Sequence, residues 1–78
     1  MSYKIVRSWS RGSVDYVSTQ KLGTLGAIHA RNRFLAVVCR RIASLGFCLT
    51  SAEIKEDGTV QIKTPDGVET WKFVMEED

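Results

Sequence analysis

His29, Cys39 and Cys48 are the residues of this 78-residue chain whose chemistry is most easily put to work. A thiol beside an imidazole makes a nucleophile, and the same side chains could begin a zinc site. Their spacing argues against both. Zinc takes about four ligands, usually in closely spaced couples. These three stand ten and nine residues apart, with no CxxC or HxxxH among them. Both cysteines read instead as small buried hydrophobes, Cys39 beside an apolar helical stripe and Cys48 in a strand. Carboxylates are more numerous, but they fall mainly in turns and in the tail MEED, where nothing excludes water. GTLGAIH sets two glycines before a helical pattern without a P-loop or a GxGxxG, and such glycines commonly serve the backbone alone. The chain is therefore read as non-enzymatic, with no catalytic residue, metal or cofactor.

Binding is the better prospect, and arginine carries it. Residues 29–41 read HARNRFLAVVCRR. Advancing about 100° per residue sets Ala27, Ile28, Phe34, Leu35, Val38, Ile42 and Leu45 on one face of a helix. His29, Arg33 and Arg40 share the opposite face with small Ala36 and Ser44, so an anionic partner could approach closely. Arginine's planar fork suits phosphate and carboxylate alike. Arg41 flanks the apolar stripe. Arg31 falls near its centre, where it must snorkel or meet a carboxylate.

The elements that hold these residues follow from local patterning. YKIVRSW and SVDYVST are strand-like and flank SRG, with Gly12 at the positive-φ place of a three-residue hairpin loop. That register pairs Arg7 with Asp15, Val6 with Tyr16 and Ile5 with Val17. SAEIKEDGTVQIK repeats the device through Gly58, setting Ile54 against Val60 and Ala52 against Ile62. In TPDGVETWKFV the signals disagree. A three-residue PDG loop pairs Lys63 with Glu69 and Trp71 with Gln61, whereas one residue more pairs Ile62 with Trp71 and Val60 with Phe73. One residue of slip reverses every side chain. The helix between has Thr24 as its N-cap and stops at Gly46. The sum is one α+β domain over 1–78: a single helix packed on an antiparallel sheet, in the order β-β-α-β-β-β.

One helix covers one face of a sheet, yet the first hairpin is apolar on both. Tyr3, Ile5, Trp9 and Val17 lie on one side, Val6, Val14 and Tyr16 on the other, and Trp71 and Phe73 add to one of them. Uncovered apolar surface marks a partner site, and Trp, Tyr and Arg dominate such sites. The candidate partner-binding residues are Trp9, Tyr16, His29, Arg33, Arg40, Arg41 and Trp71.

Charge is divided along the chain. Residues 1–46 hold eight Lys and Arg against Asp15 alone, and residues 47–78 hold three lysines against eight carboxylates. Either the molecule has an acidic and a basic side, or the halves interleave and neutralise each other. An acidic side would repel a polyanion. Together with the net charge of +2 and the lack of a helix-turn-helix or RNP-type motif, this ranks nucleic acid below protein as partner. No apolar run approaches the roughly 18 residues that span a bilayer. MSYKIVRSWSRG has no secretory core, and two cysteines make no disulfide framework, so a cytoplasmic location is expected.

As an arrangement, YKIVRSWSRGSVDYV, the 29–41 helix and EIKEDGTVQIKTPDGVETWKFV resemble small phage-encoded inhibitors of the anti-CRISPR type. That group shares no motif, so no residue role carries over. What the resemblance implies is inhibition by occlusion, with the chain docked on a larger protein or nucleoprotein complex. Binding to nucleic acid through the arginine-rich helix is the alternative, and self-association is compatible with either.

Overall fold

The structure, a computed structural model, describes residues 2–10, 12, 14–23 and 26–76, with the backbone alone at Tyr16 and Val17. Strands β1 (Ser2–Trp9) and β2 (Val14–Lys21) precede helix α1 (Gly26–Leu45) and a 3₁₀ turn (Gly46–Cys48). Strands β3 (Ser51–Ile54), β4 (Val60–Thr64) and β5 (Gly67–Glu76) complete an antiparallel sheet ordered β2-β1-β5-β4-β3. The element order and the α+β class are those expected from the sequence. Thr24, expected to cap the helix, lies outside the described residues.

The first hairpin keeps two of its three expected pairs. Arg7 faces Asp15 and Val6 faces Tyr16, while Gly12 closes the loop at φ 90°. Ile5, however, faces Ser18 and not Val17, because the register shifts between Ile5 and Val6. A bulge of this kind puts one extra residue in the opposite strand. The β3–β4 hairpin follows expectation fully: Ile54 faces Val60, Ala52 faces Ile62, and Gly58 has φ 88°. Asp57 Oδ1 accepts the Thr59 N–H at 2.9 Å, and this bond holds the Asp57 carboxyl below the usual carboxylate range.

The β4–β5 turn obeys neither expected loop. Thr64 pairs with Gly67, so only Pro65 and Asp66 lie between the strands, and Trp71 faces Val60. The Thr64 hydroxyl explains the shorter loop. It accepts the Asp66 N–H at 3.3 Å and donates to the Gly67 carbonyl at 3.1 Å. Glu69, Trp71, Phe73 and Met75 therefore all face the helix.

That face is the core. Ala30, Phe34 and Val38 of α1 meet Tyr3 and Ile5 of β1, Val60 and Ile62 of β4, and Trp71 of β5. Phe73 stands tilted between the Tyr3 ring at 5.5 Å and the Phe34 ring at 6.0 Å, within the centroid range over which aromatic pairs interact. The helix is rotated from the position its apolar stripe implies. Ala27 and Ile28 are exposed, whereas Ala30 is buried and Arg41 turns toward the sheet. Two causes act together: small Ala30 admits close approach, and Arg41 has a carboxylate to reach. Arg31 thereby leaves the centre of the contact face and becomes exposed.

Its guanidinium lies over Gly58, where a Cβ would stand 3.1 Å from Nη1. Gly58→Ala combines that crowding with a left-handed backbone, and should lower unfolding stability by about 1–2 kcal/mol. Urea denaturation checks this: a cost below about 0.5 kcal/mol, within the range of ordinary surface changes, would mean that the turn does not need positive φ.

Candidate binding surface

Glu69 is the polar residue that the fold hides completely, at 0% exposure. The even–odd alternation of β5 puts it on the helix side with Trp71 and Phe73, beside Ile62 of β4. Three donor groups satisfy it. Arg41 Nε lies 3.0 Å from Oε1 and 3.1 Å from Oε2, Arg41 Nη2 lies 2.7 Å from Oε2, and Trp71 Nε1 donates to Oε1 at 3.2 Å. The Glu69 hydrogen bonds raise Arg41 above its ordinary pKa against the opposing effect of burial. A buried carboxylate can be catalytic, but this one has its acceptors occupied by fixed donors and serves to lock helix to sheet.

Arg41 and Trp71 were both expected at a partner interface, and the structure assigns them elsewhere. Trp71 is 3% exposed in the core, and Arg41 spends its fork on Glu69. The sequence offered one signal for this triad. Glu69 shares strand parity with Trp71 and Phe73, so any register that buries the aromatics buries the acid.

Arg7 organises the neighbouring end of the sheet. Its guanidinium lies 5.5 Å from the Trp9 ring and 5.9 Å from the Trp71 ring, within cation–π range, and Nη2 meets Asp15 at 3.0 Å. Arg7 Nε is buried and has no acceptor among the described residues. Trp9 is half-buried by this stacking and offers only part of itself to a partner. The side chain of Tyr16 lies outside the described residues. The surplus aromatic surface expected from the sequence is thus largely consumed: Tyr3, Phe73 and Trp71 meet the helix, while Val6, Val14 and Val74 on the open face are small.

His29, Arg33 and Arg40 are exposed on α1, as expected. None of the three forms an ion pair among the described residues, whereas Asp15, Glu53, Glu69 and Glu76 each do. Two of these pairs, Lys4–Glu76 and Arg41–Glu69, join the basic and acidic halves of the sequence, which thus neutralise each other in part. Strand alternation also places all five lysines, at 4, 21, 55, 63 and 72, on the sheet face away from the helix. There Lys4 meets Glu76 at 2.9 Å and Lys55 meets Glu53 at 3.2 Å.

The cysteines were expected to be buried, and both are free and exposed. Cys39 follows the helix rotation outward. Cys48 belongs to the 3₁₀ turn that begins at Gly46 with φ 53°, not to a strand. The same turn throws Phe47 fully into solvent, an exposure that the sequence reading missed. Among the described residues no three His, Cys, Asp or Glu side chains gather as a metal site, and no helix is long and apolar enough to cross a membrane. The chain matches no protein-family model, no curated protein and no solved structure.

Breaking a buried pair leaves a charge uncompensated. Arg41→Ala should therefore cost about 3 kcal/mol of stability, the low end of the usual range because the arginine keeps some exposure. Replacing both partners, Arg41→Met with Glu69→Leu, should recover most of that loss. Chemical denaturation of the two variants checks it. Equal losses in both would mean that packing, not the ion pair, sets the cost.

Proposed function

We propose that the protein is a non-enzymatic intracellular binding protein, an inhibitor or adaptor that docks through the outer face of α1 on an acidic surface of a larger protein or nucleoprotein complex. The observation that carries this reading is the row His29–Arg33–Arg40, exposed and, among the described residues, without ion pairs, while Asp15, Glu53, Glu69 and Glu76 of the sheet each have one. Unpaired arginines separated by small Ala36 and Ser44 present their forks to carboxylate or phosphate without losing an internal partner. Phe47, exposed in the turn after the helix, favours a protein component, since isolated aromatics of this kind act as interface anchors. Occlusion, the mode implied by the resemblance to small phage-encoded inhibitors, needs nothing further from the chain.

Direct binding to nucleic acid is the second reading, favoured by the lysines of the open sheet face. The repulsion expected from an acidic half is reduced once its strand carboxylates are paired.

Charge reversal at two exposed helix positions, Arg33→Glu with Arg40→Glu, should alter stability by no more than about 0.5 kcal/mol. It should weaken the partner complex at least about tenfold, and Phe47→Ala should cost about 2 kcal/mol of binding at a protein interface. Co-purification from source cells with wild-type and reversed chains measures the first effect. Titration with single- and double-stranded oligonucleotides across salt concentrations separates the readings. Capture of a protein that the reversed chain fails to hold supports docking. Tight oligonucleotide binding that falls steeply with salt, with no protein retained, would establish the second reading instead.

A further inference from the structure

We propose that the edge strand β3 is a self-association edge, at which two copies of the chain pair antiparallel about a two-fold axis at Ile54. Every residue of β3 is exposed, and Ile54 is 67% exposed although it lies on the helix side of the sheet. The main chain of β3 is engaged on one side only. Lys55 donates its N–H to the Thr59 carbonyl at 2.7 Å, so by antiparallel alternation Lys55 and Glu53 bond to β4. The N–H and C=O groups of Ala52 and Ile54 point away from the sheet, the template that an added strand uses.

The other edge is built differently. β2 pairs with β1 through a register shift, and its helix-side positions are polar: Asp15, Ser18 and Gln20. Bulges and inward-facing charges both blunt an edge. Neither occurs between Ser51 and Ile54, a strand of only four residues whose helix-side positions are Ala52 and Ile54. Glu53, with Lys55 just past the strand, gives this edge a charge order that complements itself.

The outward-facing groups allow few two-fold registers. Ala52 opposite Ile54 of the second copy sets Glu53 directly against its own image, which is repulsive. Ala52 opposite Ala52 leaves Glu53 facing Ser51. Ile54 opposite Ile54 sets Glu53 against Lys55 twice, once on each side of the axis. It also puts two exposed isoleucines in contact on the helix side. Charge and apolar matching agree on this last register, so a second copy of the chain is the occupant that β3 fits. The outer face of α1, with His29, Arg33 and Arg40, stays uncovered, so the pairing stands independently of the docking proposed above.

The test uses the full chain with Cys39→Ser and Cys48→Ser to remove the native thiols. In a hydrogen-bonded antiparallel pair the opposed Cα atoms lie about 5.5 Å apart, within disulfide range. Ile54→Cys should therefore form a disulfide-linked dimer under mild oxidation, much faster than Val14→Cys, an exposed position on the opposite edge. Sedimentation should show a monomer–dimer equilibrium. Lys55→Glu should weaken it about tenfold by turning two attractive cross-strand pairs repulsive, and adding Glu53→Lys should restore it. A chain that stays monomeric to millimolar concentration would overturn the proposal. So would a dimer in which Ile54→Cys links no faster than Val14→Cys, or in which the charge swap restores nothing.

Discussion

A single buried carboxylate sets the relation between helix and sheet. Glu69 sits among Ile62, Trp71 and the underside of α1, where an unpaired charge would cost several kcal/mol. Its oxygens accept from Arg41 and Trp71, and those donors come from different elements. Meeting the Arg41 fork sets the rotation of α1 about its own axis, while Trp71, two residues along the same strand, fills the remaining acceptor. The exposure of Ile28, Cys39 and Arg31 on one flank of the helix follows from that rotation, as does the outward aim of Arg33 and Arg40.

Such a pair adds little net stability compared with a well-packed apolar substitute. A helix with an apolar stripe as broad as this one has several rotations of similar hydrophobic energy. The Arg41 fork accepts only one of them.

The local features were legible because their causes are local. Gly12 and Gly58 sit where three-residue loops demand positive φ, and alternating apolar residues then fix the β3–β4 register. Gly46 ends the helix for the same reason. The non-local features were not legible. Periodicity weighs Ala30 and Ile28 alike and carries no sign of which will meet the sheet, so it centres the stripe away from Arg41. Thr64, not the PDG tripeptide, chose the β4–β5 loop, and with it the burial of Trp71. The arginine row at positions 33 and 40 was found because outer helix faces follow from spacing. Phe47 was missed because a 3₁₀ turn has no sequence period.

The middle of the sheet is a meeting of distant chain segments. β1 and β5 pair along their whole length, Ser2 opposite Glu76 and Trp9 opposite Glu69. Loop-closure entropy delays contacts of such sequence separation, and a sheet built on them forms slowly. During synthesis the first hairpin and the helix leave the ribosome while their central neighbour is still unmade. Tyr3, Ile5 and Phe34 then have no Trp71 or Phe73 to cover them, and one edge of β1 lies open. The nascent chain is thus open to aggregation until β5 emerges and inserts between β1 and β4.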